Sequence, residues 1–233
     1  MTRNVLLNNV DHKDLRVITT RGAEYGDDVM YAVTFPSEFR NVQAHFPIVF
    51  QKSHDGTSFQ PVALFGFREG QNLFLRNSHW DAHYLPLALE RQPFLIGVDG
   101  EELMVHLDMD HPRVSTTQGE QVFLAYGGMT EYLERINSVL LTIHQGLQST
   151  PAFMAALLEH DLLEPFALDI EQADGSQHRF TGFYTIHEER LQQLDGHALG
   201  ALNKAGYLFA IYMAVASLSR FRDLIARLEG ARA

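Results

Sequence analysis

The hydrophobic period changes partway along the chain, and this change limits the folds open to it. As far as about Leu107 the apolar residues come in short β-branched and aromatic runs separated by turn residues, whereas from Gly127 they recur every three or four positions. The first pattern is that of half-buried strands and the second that of helices. The expectation is an α+β protein: an antiparallel, β-rich N-terminal half with short helices, then a helical C-terminal half containing one β-hairpin.

Within the first half, Val29 to Phe35 reads as a strand, and Pro36-Ser37-Glu38 offers a serine cap to a short helix running to His45 and stopped by Pro47. Ile48-Val49-Phe50 and Pro61 to Phe67 flank His54-Asp55-Gly56-Thr57, whose Asp-Gly pair predicts a hairpin because glycine accepts a positive φ. A turn at Arg68 to Asn72 leads to Leu73-Phe74-Leu75. Phe94 to Val98 and Leu103 to Leu107 pair across Asp99-Gly100-Glu101.

In the second half, Leu133, Ile136, Leu140, Ile143 and Leu147 form one helical stripe, and Pro151 opens a further helix with Phe153, Leu157 and Leu158. Phe166 to Ile170 and Phe180 to Tyr184 form a hairpin around Ala173-Asp174-Gly175-Ser176. His187 begins another helix and Leu199 to Leu202 a short turn. The last helix runs from about Tyr207 to Leu228, and its first half is apolar on every side, which predicts burial all round. No repeat or linker interrupts residues 1–233, so they read as a single composite domain, with a sub-boundary at 117–127 as the alternative.

Charge and composition remove several function classes. Eighteen basic against 29 acidic side chains leave a net charge of −11, which repels nucleic acid and anionic membrane surfaces. Cysteine is absent, so disulfides, thiolate metal sites and cysteine nucleophiles are excluded. The longest apolar run, Tyr207 to Ala216, is about half what a membrane span needs, and the first sixteen residues are too polar for an export signal. A cytoplasmic protein without membrane insertion is expected. No nucleophile elbow, phosphate loop, dinucleotide fingerprint or His-Glu-x-x-His pair occurs.

Two constellations remain. Trp80, the only tryptophan, stands close to Asp81, Tyr84 and Arg91. A helix would make Trp80 and Tyr84 i,i+4 neighbours, and aromatics beside a guanidinium form a contact surface for a peptide or planar ligand. The competing reading is a packed tryptophan with Arg91 paired to Asp81 or Glu90. The second constellation, His106-Leu107-Asp108-Met109-Asp110-His111, would put His106 and Asp108 on one face of a strand, the start of a non-haem iron site if a distal histidine joined them. Its alternative is a solvated turn in which Asp108 caps backbone amides.

Ser78-His79-Trp80-Asp81-Ala82-His83-Tyr84-Leu85-Pro86 followed by Arg91-Gln92-Pro93-Phe94 resembles the central signature of the SapC family, bacterial proteins named after a surface-layer protein locus. Phe46 to Phe50, Ala63 to Phe67, Gln71 to Phe74 and Leu199 to Leu218 resemble further family segments in the same order, so the likeness runs from about Leu15 to Leu228. The family shows paired arginines and a tyrosine before Pro-Phe, where this chain has Glu90-Arg91-Gln92. The resemblance implies no established catalysis and a genomic association with flavin-dependent halogenase-like proteins. A non-enzymatic binding or accessory protein is therefore expected, using no cofactor. It would recognise a peptide, a protein partner, a halogenase-like one included, or a small organic ligand through Trp80, Asp81, Tyr84 and Arg91. Self-association is left open by the sequence, and a metal-dependent enzyme built on His106 and Asp108 is the alternative.

Overall fold

The computed structural model describes residues 3–76, 78–99, 102–171 and 177–230. They are α+β, with antiparallel sheets mainly in the first half and helices mainly in the second. Seven α-helices lie among them: α1 (Phe39–Val42), α2 (Leu87–Glu90), α3 (Glu131–Glu159), α4 (Glu188–Gln192), α5 (Gly196–Lys204), α6 (Tyr207–Ser217) and α7 (Arg220–Gly230). The chain divides into two compact units, neither contiguous in sequence.

The first unit takes Met1–Asp27, Leu75–Trp80 and Leu87–Gln145. The strand Glu102–Asp108 lies between Asn4–Leu6 and Phe94–Asp99, and Arg16–Val17 lies between Val114–Ser115 and Glu120–Gln121. Val17, Phe94 and Leu107 of these strands, with Leu15, Val122 and Phe123 beside them, pack with Leu133, Ile136 and Leu140 of α3. The stripe expected on α3 is thus real over its first turns. It stops short of Leu147, which is 41% exposed.

The second unit takes Asp28–Phe74, Asp81–Pro86 and Gly146–Ala233. Its five-stranded antiparallel sheet runs Leu163–Glu171, Gln177–Ile186, Ile48–Lys52, Phe59–Leu64, Tyr31–Val33. The expected hairpin at Asp55-Gly56 is present, with Gly56 at φ +72° and Asp55 Oδ1 accepting from Ser53 Oγ, Thr57 N and Thr57 Oγ1. Those bonds, Ser53's first, hold the Asp55 carboxyl down at about 2. Phe39 and Phe153, and Phe46 and Phe74, meet edge to face at 6.0 and 4.7 Å.

Several local expectations are corrected. Ser37 does not cap α1; the N-cap position is Glu38, which makes no capping bond and sends its carboxylate elsewhere. Pro151 lies inside α3 rather than opening a helix. The helix runs on past it to Glu159 although the proline has no N–H to give to the ladder. Leu199 to Leu202 belongs to a nine-residue helix, α5, capped by Asp195 Oδ1 accepting from Ala198 N at 2.8 Å. The expected single helix from Tyr207 to Leu228 is two, because the backbone tightens to i→i−3 bonds at Leu218 and Ser219. Ser217 Oγ, turned inward, donates to Ala214 O and accepts from Ile48 N at 2.8 Å. Nor is α6 buried all round, since Phe209 and Tyr212 are 54% and 50% exposed while Ile211 is fully buried. Gly100, Glu101 and the turn Ala173 to Ser176 lie outside the described residues.

Candidate functional site

The four signature residues do not form one cluster within a unit: Trp80 and Arg91 belong to the first, Asp81 and Tyr84 to the second. Trp80 is half-buried in a two-residue strand, paired with Leu75, and the chain then leaves regular structure, so no helical i,i+4 pair with Tyr84 exists. Arg91 donates to Phe94 O at 2.7 Å, and burial lowers its guanidinium from its usual value. The competing reading pairs Arg91 with Asp81 or Glu90, but both carboxylates are held by other arginines. Glu90 holds Arg135, and Asp81 holds Arg227.

In the second unit the segment Asp81–Pro86 is fastened at Asp81 and Tyr84. Arg227 donates to both the carboxylate and the carbonyl of Asp81, at 2.7 and 2.9 Å, while its guanidinium lies 4.3 Å from the centre of the Phe74 ring. His83 stands 6.1 Å, ring to ring, from His45, and burial, His83 and Arg220 together push the His45 imidazole below its usual value. Tyr84 donates to Glu38 Oε1 at 2.8 Å, and Thr34 donates to Oε2 of the same buried carboxylate at 2.7 Å. This explains why Glu38 is no cap for α1. It also yields a test: Tyr84→Phe keeps the ring but strips a donor from a buried acceptor, which should cost about 1–3 kcal/mol. Urea denaturation reads the loss; an unmoved midpoint would show that the bond contributes nothing.

Of the metal candidates, His106 lies on the strand Glu102–Asp108 with its ring across Gly97, whose missing side chain makes the room: a Cβ there would meet the ring at 2.6 Å. Asp108 Oδ1 accepts from Asp110 N at 3.1 Å, the turn-capping role. Among the described residues no three His, Asp or Glu side chains are grouped to hold a metal ion.

Two features of the first unit had no counterpart in the sequence reading. One is a buried ionic cluster. Arg113 and Asp27, both without side-chain exposure, form an ion pair through Nη2 and Oδ2, and Arg21 reaches Asp27 Oδ1 at 3.4 Å. Arg113 Nη1 also donates to Ile18 O and Thr20 O, and Asp27 Oδ2 accepts from Gly22 N at 2.8 Å. Burial first, then the neighbouring Arg113, lowers the Arg21 guanidinium from its usual value.

The other is the surface between Glu120 and Glu134. Phe123 and Met129 pair across a tight loop, closed by Leu124 N donating to Gly128 O and Gly127 N to Leu124 O, and Asn9 ties it to the N-terminal segment by donating to Gly127 O at 2.8 Å. Thr130 Oγ1 donates to Gln121 O and accepts from Leu133 N at the start of α3. The loop so held displays apolar side chains: Leu124 is 53% exposed, Met129 48%, and Tyr126 wholly so. Beside it opens a cleft of about 600 Å³ lined by Leu124, Met129, Tyr132, Arg16 and three glutamates, Glu120, Glu131 and Glu134. A second cleft, of about 450 Å³, lies in the other unit between Thr57–Gln60 and the Leu147–Leu158 stretch of α3.

The family model for SapC matches residues 7–224, nearly the whole chain, and the protein belongs to the SapC family. Comparison with curated proteins and with solved structures gives no match.

Proposed function

We propose that the protein is a non-catalytic accessory protein that docks a segment of a partner protein on the face formed by Leu124, Tyr126 and Met129. The carrying observation is the full exposure of Tyr126 on the same short loop as the half-exposed Leu124 and Met129, the latter two lining the cleft. Contiguous exposed apolar side chains mark interaction surfaces, and tyrosine is over-represented among the residues that dominate binding. The loop's backbone is internally bonded, so docking orders little that is not ordered already. This face supports recognition better than the signature segment does, because Asp81 and Tyr84 spend polar groups on Arg227 and Glu38.

The test is selection from a displayed library of random peptides against the purified protein, followed by affinity measurement with Tyr126→Ala. Selected peptides should bind the variant about tenfold more weakly at an unchanged melting temperature. Peptides that bind both proteins equally would overturn it.

A further inference from the structure

We infer that the segment docked on this face is basic, a stretch in which lysine or arginine follows closely on an apolar anchor. The inference rests on the docking reading above and adds the chemistry of the partner. Leu124 and Met129 supply apolar contact at the cleft, and methionine's flexible thioether adapts to anchors of different shape. What selects among apolar partners is the charge around that contact. Three carboxylates line the cleft against one guanidinium, an excess of two negative charges, and that guanidinium is already engaged, Arg16 Nη1 donating to Gly119 O at 2.9 Å. The cation next along α3 offers no relief, since Arg135 is held by Glu90.

Glu131 and Glu134 occupy the first turn of α3, where the helix dipole favours their ionised form. All three glutamates are exposed and keep their hydration, so they act on an approaching cation without a desolvation cost of their own. The surplus of 29 acidic over 18 basic side chains adds a field of the same sign. A phosphate-bearing partner would be repelled from this face, and a basic one steered to it.

Three synthetic peptides test this, identical in their leucine anchors and carrying lysine, serine or glutamate at the intervening positions. Fluorescence anisotropy would measure each against the parent protein, against Tyr126→Ala, and against the triple variant Glu120→Gln, Glu131→Gln, Glu134→Gln. The lysine peptide should bind at least about tenfold more tightly than the serine peptide, and most of that margin should vanish between about 50 and 500 mM salt. The margin should shrink in the triple variant, while Tyr126→Ala should weaken the lysine and serine peptides alike. Equal binding of the lysine and serine peptides, with both weakened by Tyr126→Ala, would overturn the inference and leave the docking face standing. No binding by any peptide would overturn both. Should the triple variant fail to fold, the salt series on the parent protein decides alone: a lysine margin insensitive to salt overturns the inference.

Discussion

Replacing Asp27 by asparagine should destabilise the protein by about 3–5 kcal/mol, a large share of the 5–15 kcal/mol that holds a typical domain together. The substitution is nearly isosteric, so the loss would be electrostatic. Without the carboxylate, Arg113 keeps its charge where its side chain has no exposure, and Arg21 loses the anion that offsets its repulsion from Arg113. The carbonyls of Ile18 and Thr20 still accept from Arg113 but carry no formal charge to balance it. Urea denaturation of the two single variants and of Asp27→Asn combined with Arg113→Met separates charge from packing. If the buried charge is the cause, the double variant should be more stable than Asp27→Asn alone, because the uncompensated ion has gone. A double variant that loses the sum of the two single losses would show instead that the site depends on shape.

That cluster also shows where sequence reading stops. Asp27 and Arg113 are 86 positions apart, and neither stands in a pattern that marks a charge for burial. Only the folded chain, which runs Val114–Ser115 beside Arg16–Val17, brings the two regions into one unit. Local signals were legible for the opposite reason. The hairpin at Asp55-Gly56 is set by a glycine at φ +72° and a carboxylate that bonds residues within two positions of itself, so both causes lie inside a few letters of sequence. The α+β class was legible too, since strand and helix periods are local properties.

The signature segment falls between these cases. Its residue types advertise contacts, and contacts there are, but whether Asp81 faces Arg91 or Arg227 is a tertiary matter that spacing does not encode. The exposed loop was missed because Phe123-Leu124 and Met129 look like core letters. A short apolar run bounded by glycines carries no mark of which side chains end outside.

Ile211→Asp and Tyr212→Asp should differ as sharply as two neighbouring substitutions can. The residues sit side by side on α6, whose letters are apolar throughout, and hydropathy alone ranks both as core. The structure separates them: Ile211 is fully buried, on the same side as Ala210, Ala214 and Ser217, while Tyr212 is half exposed. Ser217 fixes the helix in that rotation, because its hydroxyl must reach Ile48 N on the neighbouring strand, which commits the positions one and two turns earlier to the core. An aspartate at 211 would lose the burial of an isoleucine and place a carboxylate among apolar groups, a cost of several kcal/mol that leaves a marginally stable chain largely unfolded. An aspartate at 212 meets water and should change stability by about 0.5 kcal/mol or less. Circular dichroism melts of the two variants beside the parent make the comparison. A parent-like melt for Ile211→Asp would refute the rotation of α6 described above, and a collapse of Tyr212→Asp would show that the outer face of the helix is covered in the folded protein.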